Sequence, residues 1–176
     1  MYAPTFRDGY AISMPFSDKF YLKLNRYLKV KNQILLIKKH PVEKKIKILT
    51  GLSNIIDVSK DVDDVQELLL CVDALITDYS STTSDFVLTN KPIMFYPYDY
   101  DSYTKNCRSI FYDYYQELPG PFVDKENGLL KLIKEIDTWF NEPAYHNRYL
   151  DFKNKFNKYQ DGNSCKRLLK YLSSMN

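Results

Sequence analysis

Asp73-Ala74-Leu75-Ile76-Thr77-Asp78-Tyr79-Ser80-Ser81-Thr82-Thr83 is the stretch on which the fold turns. Ala74 to Thr77 is short and apolar with no period-2 alternation, which is how a strand buried on both faces reads. It opens straight into hydroxyl-bearing residues that begin a helix, Thr82 to Thr89. Working outward, Gln33 to Lys38, Asn54 to Val58 and Pro92 to Tyr96 read as strands of the same kind. Between them lie helical segments. Ser17 to Val30 places Phe20, Leu24, Tyr27 and Leu28 on one face, and Val62 to Val72 does the same with Val65, Leu68, Leu69 and Val72 behind a cap at Asp61 or Asp63. A short helix is expected after Pro41. This alternation predicts an α/β fold with a mostly parallel, Rossmann-like sheet and right-handed crossovers. Met1 to Pro4 reads as the end of one more strand, too short to stand alone, so the chain is expected to begin inside an element. After Tyr98 the chain turns aromatic and loop-like through Pro121, then ends in helices over Lys125 to Asn141, Ala144 to Tyr159 and Asn163 to Leu172.

Length and composition agree with one domain over residues 1–176. The chain is 44% hydrophobic and 27% charged, with 15% aromatic residues, too apolar for a chain that cannot bury a core. No window approaches the roughly 18 apolar residues of a membrane span, and the N-terminus lacks a secretory pattern. A soluble, cytoplasmic protein is expected. Three scattered cysteines, Cys71, Cys107 and Cys165, suggest neither a disulfide framework nor a zinc cluster. The net charge of +3 argues against general nucleic-acid binding. Its distribution is uneven: seven lysines against Glu43 between Lys29 and Lys47, an acidic block from Asp57 to Glu67, and a basic tail from Arg148 to Lys170. Such blocks are solvated helix faces or contacts for a phosphate-rich partner or an anionic membrane surface.

In open parallel sheets ligands bind beyond the carboxyl ends of the strands. Those ends carry Thr5, Arg7 and Asp8; Lys38, Lys39 and His40; Ser59 and Lys60; and Asp78, Tyr79, Ser80, Ser81 and Thr82. Ser80 and Ser81 are either plain helix caps or, with the helix N-terminus, a phosphate cradle made without a Gly-rich loop. No Gly flanks them as in a hydrolase elbow. His40 is either an exposed loop residue or a hydrogen-bonding or protonating partner for a phosphate oxygen. Asp161-Gly162 is either a capping turn before the last helix or a second anion site. Phe111 to Tyr115 reads as packing. Neither His40 nor His146 has a companion at metal-ligand spacing, so no metal site is expected.

A set of segments in one order adds a resemblance: Tyr2-Ala3-Pro4-Thr5-Phe6-Arg7-Asp8, Lys39-His40-Pro41, Asp73 to Ser81, Asn90-Lys91-Pro92-Ile93, Phe95 to Asp99, Tyr112-Asp113-Tyr114, Glu117 to Pro121, and Asp161-Gly162. Together they resemble the CDP-glycerol glycerophosphotransferases, the teichoic acid primases and polymerases, from Tyr2 to about Arg167. The resemblance implies one half of a GT-B-type architecture, the C-terminal half that binds the CDP-activated donor. It implies CDP-glycerol or a similar CDP-polyol as donor substrate, no further cofactor, and a poly(polyol phosphate) or lipid-linked acceptor. Carried over by position, Ser80, Ser81 and Thr82 hold the pyrophosphate, His40 helps CMP leave, and Arg7 clamps phosphate charge. Thr5, Asp8, Asp78, Asp161 and Gly162 support the donor site, and the cytidine lies near Val58 and Ser59. Two departures stand out: Ser109 where the family commonly has Gly, and Thr82-Thr83-Ser84 where bulkier apolar residues are usual. The family's acceptor-side half, with its base, has no counterpart here, so a second chain or a missing N-terminal half is an implied partner. The place of work implied is the cytoplasm, peripheral on the inner face of the cell membrane. An inactive nucleotide-binding fragment and a different GT-B sugar-nucleotide enzyme are the alternatives.

Overall fold

The computed structural model describes residues 1–7, 15–43 and 46–175. Five strands, β1 (Tyr2–Ala3), β2 (Leu35–Ile37), β3 (Ile55–Asp57), β4 (Leu75–Thr77) and β5 (Ile93–Phe95), form one sheet in the order β3-β2-β1-β4-β5. Every pairing is parallel, with Tyr2 opposite Ile37 and Ile76, and Thr77 opposite Phe95. The parallel α/β sheet expected from the apolar runs is the sheet found. β1, β4 and β5 are buried throughout, which is why they lack alternation. The chain leaves β1 toward β2 on one side and later returns to β4 on the other. The crevice between β1 and β4 is therefore the place where crossovers diverge.

Helix α1 (Asp18–Val30) starts where the Ser17 hydroxyl accepts the Phe20 N–H (3.2 Å), and buries Phe20, Tyr21, Leu24 and Leu28. α2 (Val65–Cys71) is capped neither by Asp61 nor by Asp63, as expected, but by Asp64, whose carboxylate accepts from Gln66 N–H (2.8 Å). α3 (Thr82–Phe86) follows β4 and runs into a 3₁₀ turn at Val87–Thr89. The helix expected after Pro41 is a turn at Pro41–Val42; residues 44 and 45 lie outside the described residues. The aromatic stretch holds two short helices that no periodicity announced, α4 (Tyr100–Asn106) and α5 (Tyr114–Glu117).

The last helices are α6 (Glu126–Lys134), α7 (Ile136–Phe140), α8 (Pro143–Phe156) and α9 (Ser164–Ser173); the expected Lys125 to Asn141 helix is split at Glu135. α8 is tied to the sheet through tyrosine hydroxyls. Tyr145 accepts the Ile93 N–H (3.2 Å), and Tyr149 donates to the carbonyl oxygens of Val87 (3.1 Å) or Lys91 (2.9 Å). Between α5 and α6 the chain runs along β5: Phe95 N–H donates to Pro121 O and Val123 N–H to Phe95 O, both 2.9 Å. Gly120 permits this approach, since a Cβ there would lie 2.0 Å from Phe95 Cδ2. Among the described residues no helix is long and apolar enough to cross a membrane.

Candidate functional site

A cavity of about 570 Å³ opens at the carboxyl edge of the sheet, over the β1–β4 crevice. Three of the predicted strand ends meet there. β1 contributes Thr5, β2 contributes Lys38, Lys39 and His40, and the β4–α3 junction contributes Ser80, Ser81 and Thr82. Residues as far apart in sequence as Thr5 and Thr82 thus line one space, because parallel strands put all their carboxyl ends on one side.

The hydroxyl cluster is locally ordered. Ser80 Oγ accepts from Thr82 N–H (3.3 Å) and from the Thr82 hydroxyl (2.9 Å). Ser81 sits at the helix cap position, makes no side-chain capping bond, and is exposed. His40 is exposed as well, with its ring stacked on Phe6 at 5.6 Å and 28°. His40 Nδ1 accepts the Val42 N–H (3.3 Å), which in the neutral ring leaves the proton on Nε2. The lysines are held nearby: Lys38 Nζ donates to Val62 O (2.6 Å) and Ser59 O (3.2 Å), and Lys39 Nζ pairs with Asp57 (2.9 Å).

Arg7 and Asp78 lie beneath this surface rather than on it. Both side chains are fully buried. Arg7 Nη2 donates to Asp78 (2.8 Å); Nε and Nη2 form a fork on Asp99 at 2.9 Å each; Nη1 donates to Thr5 O (2.5 Å). The guanidinium carbon lies 4.9 Å from the ring centres of Tyr79 and Tyr103, which are stacked on each other at 3.9 Å. Burial alone would push the Arg7 pKa down, but Asp78 and Asp99 outweigh it and the net shift is upward. Asp78 in turn accepts from the Thr5 N–H (2.8 Å) and hydroxyl (2.5 Å) and from the Tyr79 N–H (2.6 Å). Tyr79 donates to Asp99 (2.9 Å); burial, then Asp99 and Asp78, raises its pKa. One buried cation thereby ties together the segments that follow β1, β4 and β5.

The other predicted residues fall elsewhere. Val58 and Ser59 are not part of the cavity lining; the Ser59 hydroxyl donates to Asp57 and accepts the Lys39 N–H (2.8 Å). Asp161 and Gly162 form an exposed turn before α9, where Gly162 takes a φ of +70° and Asp161 pairs with Arg167. Arg167 hydrogen bonding holds the Asp161 carboxyl well below the usual range. Asp8 lies outside the described residues. Phe6 and the segment Arg108 to Tyr112 line the cavity without having been singled out as site residues. Phe111, read as packing, is 96% exposed at its rim, while Tyr114 three residues on is core. Among the described residues no group of three or more His, Cys, Asp or Glu is arranged to hold a metal ion.

Comparison with known proteins matches the chain to a family. A family model described as CDP-Glycerol:Poly(glycerophosphate) glycerophosphotransferase matches residues 1–174. The teichoic acid glycerol-phosphate transferase of Staphylococcus aureus is 36% identical over 174 residues, covering 96% of this chain and 43% of that protein. The teichoic acid glycerol-phosphate primase of Bacillus subtilis is 37% identical over 179 residues, covering 99% of this chain and 43% of its own length. The solved wall teichoic acid polymerase TagF superposes with a TM-score of 0.75 at 30% identity, over 98% of this chain and 42% of that one. A variant of the same polymerase soaked with CDPG gives 0.75 at 31%. The chain thus spans less than half the length of these relatives, and within that span it belongs to the CDP-glycerol:poly(glycerophosphate) glycerophosphotransferase family.

Proposed function

We propose that residues 1–176 form the donor-binding half of a polyol-phosphate transferase that uses CDP-glycerol or CDP-ribitol to build teichoic acid or a related cell-surface polymer. One observation carries this reading: His40, Ser80, Ser81 and Thr82, from two separate strand ends, line one cavity at the β1–β4 crevice of a family member. In the reaction an acceptor hydroxyl oxygen attacks the donor's β-phosphorus, the bond to the bridging oxygen breaks, and CMP leaves. Ser80 and Ser81 donate hydroxyl hydrogen bonds to the pyrophosphate, which in this partly enclosed setting offset its loss of water, and Thr82, whose hydroxyl donates to Ser80 Oγ, turns the Ser80 proton toward it. His40, with Nε2–H available, donates to the departing phosphate oxygen. Arg7 holds the loops that shape the cleft, since four of its five N–H donors are committed to Asp78, Asp99 and Thr5. The acceptor hydroxyl's proton goes to a base outside residues 1–176. The acceptor is a poly(polyol phosphate) or lipid-linked chain, which sets the work at the inner face of the membrane.

Calorimetry with CDP-glycerol tests the donor site. Binding is expected, and Ser80→Ala combined with Ser81→Ala should weaken it by about 1–3 kcal/mol, the range for hydrogen bonds to a charged group. A folded chain that binds neither CDP-glycerol nor CMP sinks the assignment. The chain's span of 43% of its relatives favours a second reading, a nucleotide-binding piece with no turnover by itself. CMP release from this chain with a polyol-phosphate acceptor would refute that second reading.

A further inference from the structure

His40 lines the cavity and is exposed, a setting in which an imidazole ordinarily samples several rotamers and is costly to order. Here the ring is held on two sides. The Phe6 ring stacks on it, with centroids 5.6 Å apart and planes 28° from parallel, so the imidazole plane is set by a face contact. The Val42 N–H donates to Nδ1 (3.3 Å), which sets the edge of the ring that turns back on the chain. Nε2 is then the nitrogen left for a ligand.

Both partners of this stack are anchored at the backbone. His40 opens a β-turn in which the Glu43 N–H donates to His40 O (2.9 Å), and Pro41 takes the second position, where its fixed φ suits the turn. The residue before it, Lys39, donates its N–H to the Ser59 hydroxyl (2.8 Å). Phe6 lies between Thr5 and Arg7, and both neighbours are tied to Asp78: Thr5 through its N–H (2.8 Å) and hydroxyl (2.5 Å), Arg7 through Nη2 (2.8 Å). Arg7 Nη1 also donates to Thr5 O (2.5 Å), bridging the chain across Phe6. Phe6 itself is half-buried and lines the cavity. The buried cation network thus delivers one apolar ring to the cavity, and that ring lies against the histidine.

We infer that Phe6 is a positioning residue for His40: its ring holds the imidazole so that Nε2–H meets the departing phosphate oxygen without a search among rotamers. Phe6 touches no reacting atom, and its effect passes through His40. A donor aimed in advance stabilises developing charge without reorganising at the moment of reaction. An aliphatic side chain could fill the same space but has no plane to impose. What the aimed histidine does rests on reading the cavity as a CDP-polyol donor site. The aiming itself belongs to the chain alone and is measured without donor.

NMR of the chain carrying isotope-labelled histidine tests the aiming, with His40 and His146 told apart by His40→Ala. At about pH 8.5, where an ordinary histidine is neutral, His40 should show the nitrogen shifts of the Nε2–H tautomer and a ring as ordered as its backbone. Phe6→Leu should lower that ring order by at least half while the backbone signals of Lys39 to Val42 stay in place, and Phe6→Tyr should retain it. In calorimetry with CDP-glycerol, Phe6→Leu should weaken binding at least threefold and Phe6→Tyr should not. Added to His40→Ala, Phe6→Leu should cost nothing further. A His40 ring as mobile as that of His146 in the unaltered chain overturns the inference with no substitution made. So does unchanged ring order in Phe6→Leu, or the same loss of CDP-glycerol affinity from Phe6→Leu with and without His40. If the folded chain binds no CDP-glycerol, the donor reading falls and the ring order alone decides whether Phe6 aims His40.

Discussion

Two arginine–aspartate pairs in this chain have the same chemistry and opposite situations. Arg7 is sealed beneath the cleft with Asp78 and Asp99 at 2.8 and 2.9 Å, ringed by Tyr79, Tyr98 and Tyr103. Arg167 and Asp161 meet in the open, at the turn before α9. In water the second pair gains little, since solvent screens it and two side chains must be held still. Inside, the first pair has no water to fall back on. Its worth lies in what happens when one partner is lost: the remaining charge is stranded. Burial, rather than the pair itself, decides whether an ion pair organises a site.

Substitution should expose that asymmetry. Arg7→Met leaves Asp78 and Asp99 facing each other without a cation, and should destabilise the chain by about 3–5 kcal/mol in urea unfolding. A loss below 1 kcal/mol would remove Arg7 from the role of organiser. Alkali attacks the same region from its tyrosines. Burial, followed by neighbouring acids or rings, raises the pKa of Tyr79 and Tyr114 above the unfolded value of 10.0. The folded state then holds protons that the unfolded state has released, so their stabilisation is complete below pH 10 and lost as pH rises above it. The slope should be about 1.4 kcal/mol per pH unit for each such tyrosine. Flat stability from pH 9.5 to 11.5 would contradict this. Asp161→Asn is the small end of the series. It should leave the melting temperature within error and donor affinity unchanged, and a clear loss of CDP-glycerol binding would bring Asp161 back to the donor site.

The comparison also marks what the sequence discloses. β2, β4 and β5 were legible because strands buried on both faces carry runs of Ile, Leu and Met that few other environments permit. Their order was not needed to find the cleft, since parallel strands all end on one side, and His40, Ser80 and Ser81 followed from that alone. Arg7 was legible as important but not in its role. Its position after a strand suggests a phosphate clamp, and the carboxylate that takes up its fork lies 92 residues away. Asp161-Gly162 is a turn by its residues, and only tertiary placement could show that it stands apart from the cavity. Phe111 misled for a similar reason: a ring within an aromatic run looks like core, and three-dimensional context turns it outward. The short helices α4 and α5 left no periodic trace, being too brief for one.

Gly120 has a consequence for how the molecule is assembled. The Phe95 ring occupies the space where any other residue at 120 would carry its side chain. The Pro121–Val123 segment reaches β5 through that point, ahead of the C-terminal helices. A single methyl group there would therefore act at long range. It would leave the β1–β4 cavity's own residues intact while prising the Pro121–Val123 segment off β5, so that the cost would fall on the packing of the C-terminal part and not on the cavity's hydroxyl groups.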